Sequence, residues 1–157
     1  MLKLSLVPIE MHRLLVPGGV NAFSTWETVG WLDYVREALS RIDGAPPFPS
    51  QSEGFHKIQH GNKWEDKAWI KEKASRYYDE VEIYSLPKIH HLSKEEFVTT
   101  FGGPMTQGML SLFWSEENKE NYGPQLADAL RDLLEEKGMD HVDLQMDALI
   151  TVVKKAE

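Results

Sequence analysis

Residues 124–153, PQLADALRDLLEEKGMDHVDLQMDALITVV, place a helix directly before an extended segment. After Pro124, apolar residues recur at the spacing of one helical face, and Gly138 lies just beyond them. From Val142 onward apolar and polar residues alternate, which is the period of a strand. The stretch therefore predicts a helix followed by a closing hairpin over residues 141–153, although the same apolar residues also fit a helical stripe.

A second helix is predicted over residues 24–44. The segment STWE at 24–27 matches a capping box, in which a serine oxygen and a glutamate satisfy free amides at a helix start. An apolar face follows and Gly44 closes it. That face consists of Val29, Trp31, Leu32, Val35, Ala38, Leu39 and Ile42.

The remaining elements complete a mixed pattern. Similar capping motifs at residues 62–65 and 93–96 predict helices that run to about Tyr78 and to Gly102. Strands are predicted over residues 2–6, 9–16, 55–60, 81–85 and 109–114, with a buried helical turn as the alternative for residues 109–114. Together these elements predict an α+β fold: a single domain over residues 1–157, with a mixed or mostly antiparallel sheet and three to four helices packed on one face.

The helix predicted after residue 62 has an irregular apolar face. Lys67 and Lys71 fall among its apolar residues. Either their alkyl stems cover the core while the ammonium groups reach water, or part of this face contacts something other than the core.

Composition and charge exclude several classes of function. The chain has 157 residues, a net charge of −8 and no cysteine, which excludes disulfides, thiolate metal ligands and cysteine nucleophiles. Residues 93–157 carry 13 acidic against 6 basic side chains, which disfavours binding to phosphate backbones. The basic stretch at 56–76 includes Trp64 and Trp69, but a solvated helix explains it better than a nucleic-acid site. With no secretory signal or membrane-spanning run, we expect a cytoplasmic protein without nucleic-acid or membrane partners.

The histidines are the first candidate for chemistry. His56 and His60 are four residues apart, so they share a face on a helix or on a strand. His90 or His91 could add a third ligand and Glu82 a carboxylate, which would leave a metal open to activate water. The spacing between the two pairs is unconstrained, and surface or structural roles for these histidines explain the sequence better.

Aromatic residues are the second candidate. Trp26 and Trp69 fall on polar faces of their predicted helices, and Tyr77 and Tyr78 lie in a segment dense in phenols and carboxylates. Exposed aromatic side chains are enriched in protein-binding surfaces.

No catalytic motif in the sequence is specific, and the two candidates lead to three functions. The leading expectation is an inhibitor or adaptor that docks an aromatic and acidic surface on another protein. The alternatives are a metal-dependent hydrolase and a small-molecule-binding domain with an aromatic pocket. A divalent metal cofactor is expected only if the hydrolase alternative holds.

Overall fold

Short helices alternate with four strands along the polypeptide. The computed structural model describes residues 7–157, with side chains from Ile9 onward. The helices are α1 (Val7–Leu14), α2 (Trp31–Leu39), α3 (Gln51–Ile58), α4 (Lys67–Ala74), α5 (Lys94–Phe101), α6 (Pro104–Leu110), α7 (Glu116–Tyr122) and α8 (Leu126–Glu136), with a 3-10 turn at Gly123–Gln125. The strands are β1 (Val20–Val29), β2 (Glu80–Leu86), β3 (Ile89–Ser93) and β4 (His141–Lys154). The predicted α+β class is confirmed, and the described residues form more helices than the three to four expected.

Strand β4 organises the sheet. It lies between β1 and β2 and also pairs with β3. Both β2 and β3 run antiparallel to it, with Ile83 opposite Thr151 and His91 opposite Asp143. The expectation of a mostly antiparallel sheet is therefore confirmed.

The closing hairpin predicted over residues 141–153 is wrong, as is its helical alternative. These residues belong to β4, a single strand of 14 residues without glycine or proline. Residues 141–145 pair with β3 and residues 148–154 pair with β2. Between the two ladders, the Met146 amide donates to the Lys88 carbonyl at 2.8 Å. Two successive partners thus keep the strand extended where a turn was expected.

The capping box predicted at residues 24–27 is also wrong. These residues lie within β1, where half-buried and exposed side chains alternate. Helix α2 begins only after Gly30, and its buried residues Trp31, Leu32, Val35, Ala38 and Leu39 belong to the predicted apolar face. A cap satisfies one or two amides, whereas pairing with β4 satisfies the backbone along a whole strand.

Three further predicted strands differ from the structure. Residues 9–16 fall largely in α1, and residues 55–60 overlap α3. Residues 109–114, for which a helical turn was the alternative, overlap the end of α6. Local contacts explain where α3 and α6 begin. Ser50 and Glu53 exchange hydrogen bonds across the first turn of α3, and α6 begins with Pro104 directly after Gly103. The strand predicted over residues 2–6 lies outside the described residues.

The chain divides into two compact units. The first unit comprises residues 7–28, 55–88 and 146–157 of the described chain. Its core joins Trp64 and Ile70 to Leu149 of β4, and a second cluster groups Ala74 and Tyr78 with Val153. A single domain over the whole chain stays a prediction.

The second unit comprises residues 29–54 and 89–145. Helix α8 packs against α2 and α5, and it buries Leu126, Leu130, Leu133 and Leu134. The rings of Trp31 and Phe101 stack at 5.3 Å between centroids. The helix predicted from Pro124 is confirmed in this core.

Candidate functional site

The histidines proposed as metal ligands do not form a metal site in the structure. His56 is exposed on α3, and His60 follows that helix with a left-handed backbone (φ 53°), so the two share no helical face. His90 and His91 lie on β3 in the second unit, while Glu82 is exposed on β2 in the first. Over residues 7–157, no group of three or more His, Cys, Asp or Glu side chains could hold a metal ion.

His91 has a different partner, which sequence reasoning missed. Its Nδ1 lies 2.6 Å from Oδ1 of Asp143, the residue directly opposite on β4. Both side chains are exposed to solvent. Their contact follows from strand register, which could not be read before the β3–β4 pairing was known.

The four aromatic residues proposed for partner binding separate into two groups. Trp26 on β1 and Tyr77 are 48% and 39% exposed. Tyr78 is only 4% exposed, and its burial raises the pKa of the phenol. Trp69 is half-buried and packs edge-on against Trp64, with 5.1 Å between ring centroids. Trp69 and Tyr78 therefore contribute to the packing of the first unit.

A groove between α4 and β2 is the candidate binding site in the first unit. It is open to solvent, has a volume of about 600 Å³ and is lined by Lys67, Ala68 and Lys71 of α4 and by residues 81–84 of β2. Asp66 fixes the start of α4, because its side chain accepts hydrogen bonds from the amides of Ala68 and Trp69. Helix α4 is therefore held at the end where Lys67 enters the groove.

Two of the charged groups around the groove, Lys67 and Glu82, have side-chain partners, and Lys71 has no carboxylate partner among the described residues. Lys67 Nζ lies 3.4 Å from Oε1 of Glu27, whose other oxygen accepts a hydrogen bond from Ser85 at 2.7 Å. On β2, the hydroxyl of Tyr84 donates to Glu82, and this hydrogen bond together with the carboxylate charge raises the pKa of Tyr84. Lys71 is exposed, and no carboxylate of the described chain lies within ion-pair distance of it.

Buried polar atoms form a second feature of the first unit. The side-chain oxygens of Thr25 and Thr151, Nε1 of Trp64 and Oε2 of Glu65 are buried without a hydrogen-bond partner in the described part of the chain. Thr25 and Thr151 lie on β1 and β4, and Trp64 and Glu65 precede α4. Buried polar groups of this kind normally bind ordered water or a polar ligand.

A larger groove, of about 810 Å³, lies in the second unit between the end of α2 and α8. Its ionisable side chains are four carboxylates and one guanidinium, namely Asp43, Asp128, Asp132, Glu136 and Arg41. Arg41 forms ion pairs with Glu136 and Glu37. The remaining charge of this groove is negative, so it repels anions.

Three curated relatives of this chain are methyltransferases. No family model matches the chain. It is 26% identical over 148 residues to acetylaranotin bis-thiomethyltransferase from Aspergillus terreus, a match that covers 93% of this chain and 53% of the relative. It is 22% identical to methyltransferase ktnA from Aspergillus niger, with coverage of 93% and 48%, and 27% identical to methyltransferase tpcH from Aspergillus fumigatus, with coverage of 83% and 46%. The chain thus spans about half the length of these relatives.

One solved structure shows a weaker similarity. It is Phospholethanolamine N-methyltransferase 2 from Haemonchus contortus, in complex with phosphomonomethylethanolamine and S-adenosylhomocysteine. The two chains are 14% identical, the match covers 98% of this chain and 30% of the other, and the TM-score is 0.40. That score is too low to equate the two folds.

These relatives correct the functions expected from the sequence. A protein-docking inhibitor or adaptor, a metal-dependent hydrolase and an aromatic-pocket binding domain were expected, whereas the relatives are methyltransferases. The expectation of another protein as the main partner is wrong for the same reason. The histidines and the tryptophans Trp26 and Trp69 prompted those expectations, and neither group is specific to one chemistry.

Glycines at a strand-to-helix turn are one way in which a backbone approaches a nucleotide-type ligand closely. In the described chain, the glycine at such a turn is Gly30, between β1 and α2. A Cβ there would lie 2.7 Å from the Gln145 carbonyl oxygen, so this glycine accommodates β4 and not a ligand. Beside Gly54, Gly108 and Gly138 there is open space. The described residues therefore do not form a glycine cradle that would fit the donor.

Proposed function

We propose that this chain takes part in methyl transfer to a small-molecule nucleophile, with S-adenosylmethionine as the methyl donor. The observation that carries the proposal is the match of 83–93% of the chain to three methyltransferases. The name of the Aspergillus terreus relative refers to methylation of thiols, so thiols are the first acceptors to test.

The missing glycine cradle and the methyltransferase relatives are compatible. The chain matches about half of each relative, so the residues with which the relatives hold their donor need not lie in the matched half. On this proposal, the described residues contribute mainly to the acceptor side. The first unit offers a groove and buried polar atoms for that role.

A chimera tests the proposal directly. This chain replaces the matched segment of the Aspergillus terreus relative, and methyl transfer is followed by the mass of the methylated product and by release of S-adenosylhomocysteine. Thiol, phenol and carboxylic-acid acceptors are assayed. The intact relative is the positive control, and the relative without its matched segment is the negative control.

We expect the chimera to transfer methyl groups to at least one acceptor class and the deletion control to be inactive. Transfer by the isolated 157-residue chain would support the proposal more directly still. A chimera that is folded by circular dichroism and monodisperse, yet inactive while the relative is active, would contradict it.

A further inference from the structure

We propose that the groove between α4 and β2 binds the acceptor as a small apolar ring system that carries one carboxylate. This inference rests on the proposed function, because only methyl transfer makes the bound ligand an acceptor. Binding of the ligand is measured without any methyl transfer. The carboxylate would lie near Lys67 and Lys71, and the rings would lie against the apolar residues of β2.

The lysines occupy the same side of α4. Lys67 and Lys71 are four residues apart, so their side chains are neighbours on the helix surface. Both line the groove. The sequence showed them as an irregularity in an apolar helical face, and the structure shows that this face borders open space. Their stems extend the apolar wall, while their ammonium groups supply the charge.

The floor of the groove is apolar and only partly covered. Val81 and Ile83 are half-buried, and they lie on the same face of β2 because side chains alternate along a strand. Ile83 also packs against the cluster of Trp64, Ile70 and Leu149, which holds it in place. A fixed apolar surface beside two cations suits an amphipathic anion more than a fully polar one.

One cation of the groove, Lys71, is available to an anionic ligand. The lining contains two lysines and one carboxylate, Glu82, and the hydroxyl of Tyr84 already donates to that carboxylate. The whole chain carries a net charge of −8, whereas the side chains that line this groove carry two positive charges and one negative charge, and Glu27 offsets the charge of Lys67 from outside the lining. Lys67 has Glu27 as a partner, whereas Lys71 has no carboxylate of the described chain within ion-pair distance.

The size of the groove matches this class of ligand. About 600 Å³ lies within the range of roughly 300–1,000 Å³ that is usual for small-molecule sites. The acidic groove of the second unit is larger, but its carboxylates would repel the same ligand. The two grooves therefore predict opposite charge preferences.

The test is a titration of the 157-residue chain with 2-naphthoate, followed by calorimetry and by amide chemical shifts. The neutral 2-naphthamide is the ligand control, because it has nearly the same shape without the charge. Lys71→Gln and the double variant Lys67→Gln/Lys71→Gln remove the cations. Lys63→Gln is the matched protein control, since Lys63 belongs to the same unit but does not line the groove.

We expect saturable binding of naphthoate, with shift changes centred on Lys67 to Lys71 and residues 81–84. Lys71→Gln should weaken binding about two- to fivefold, as for an exposed ionic contact, and the double variant should weaken it further. Lys63→Gln should have no effect, and 2-naphthamide should bind more weakly than naphthoate.

Three results would overturn the inference: no saturable binding up to millimolar naphthoate, equal affinity for naphthamide, or shifts centred elsewhere. If naphthoate binds as expected but the chimera is inactive, the groove stands and methyl transfer fails. If the chimera is active and naphthoate does not bind, methyl transfer stands and the groove fails.

Discussion

Ser93 and Glu96 cap the first turn of α5 reciprocally. The Ser93 hydroxyl oxygen accepts a hydrogen bond from the Glu96 amide at 3.3 Å, and Oε2 of Glu96 accepts one from the Ser93 amide at 2.8 Å. The capping motif predicted at residues 93–96 is thereby confirmed, while the equally regular motif at residues 24–27 lies in a strand.

Replacing Ser93 should therefore destabilise the protein, while replacing Ser24 should not. We expect Ser93→Ala to lower the free energy of unfolding by about 0.5–2 kcal/mol, the usual loss of a helix cap. Ser24 is exposed on β1, so Ser24→Ala should change it by less than about 0.5 kcal/mol. Chemical denaturation of both variants checks this, and equal losses would contradict the assignment.

The same pair predicts a dependence of stability on pH. Hydrogen bonds from the Ser93 hydroxyl and the Ser93 amide hold the pKa of Glu96 below its usual value. A carboxyl group with a lowered folded pKa contributes stability above its unfolded pKa, which is about 4.3, and loses it as pH falls through the folded pKa. Wild type should thus exceed Glu96→Gln in stability near neutral pH, and the difference should shrink in acid.

Ser93→Ala is the matched control for that measurement, because it removes the main cause of the lowered pKa and keeps the carboxyl group. Denaturation curves at several pH values from neutral to acid provide the data. A difference between wild type and Glu96→Gln that stays constant over this range would disprove the linkage.

Two glycines should respond oppositely to the same substitution. At Gly30 a Cβ would lie 2.7 Å from the Gln145 carbonyl oxygen, so Gly30→Ala should destabilise the protein by about 1–3 kcal/mol. Gly108 lies within α6, where an added Cβ would meet no atom within 4 Å, and Gly108→Ala should stabilise the protein by about 0.5–1 kcal/mol. Thermal unfolding of the two variants tests both signs, and a shift in the same direction for both would refute this account.

The two tryptophans predicted to lie on polar faces should also differ. Trp69 packs against Trp64, and Lys73 Nζ lies 5.6 Å from its ring centroid. We expect Trp69→Ala to lower the free energy of unfolding by about 1–3 kcal/mol, with a smaller loss for the exposed Trp26→Ala. The thermal midpoints of the two variants test this difference. A larger drop in midpoint for Trp26→Ala than for Trp69→Ala would contradict it.

Local signals predicted the elements that depend on local contacts. The spacing of Trp31, Leu32 and Val35 indicated the buried face of α2, and the leucines after Pro124 indicated that of α8. Strand β1 could not be predicted in this way, because its pairing with β4 involves residues more than a hundred positions away. The backbone hydrogen bonds between β1 and β4 outweigh the local capping motif within β1.

The candidate site was visible in the sequence only as an anomaly. Lys67 and Lys71 interrupted an apolar helical face, but the groove also needs residues 81–84 of β2, whose position against α4 the sequence does not give. Methyl transfer could not be inferred, because no glycine-rich strand-to-helix motif for a donor occurs in the sequence. Comparison with relatives supplied what the local pattern lacked.

The order of the strands also affects how the protein is made. Strand β4 follows both β2 and β3 in the chain, and it is their partner in both ladders. During synthesis, β2 and β3 leave the ribosome before the strand that satisfies their backbone amides and carbonyls. Such unpaired strands are open to intermolecular association until β4 emerges. Substitutions that slow the folding of β4 would therefore reduce the yield of soluble protein even where they change the free energy of unfolding of the finished molecule little.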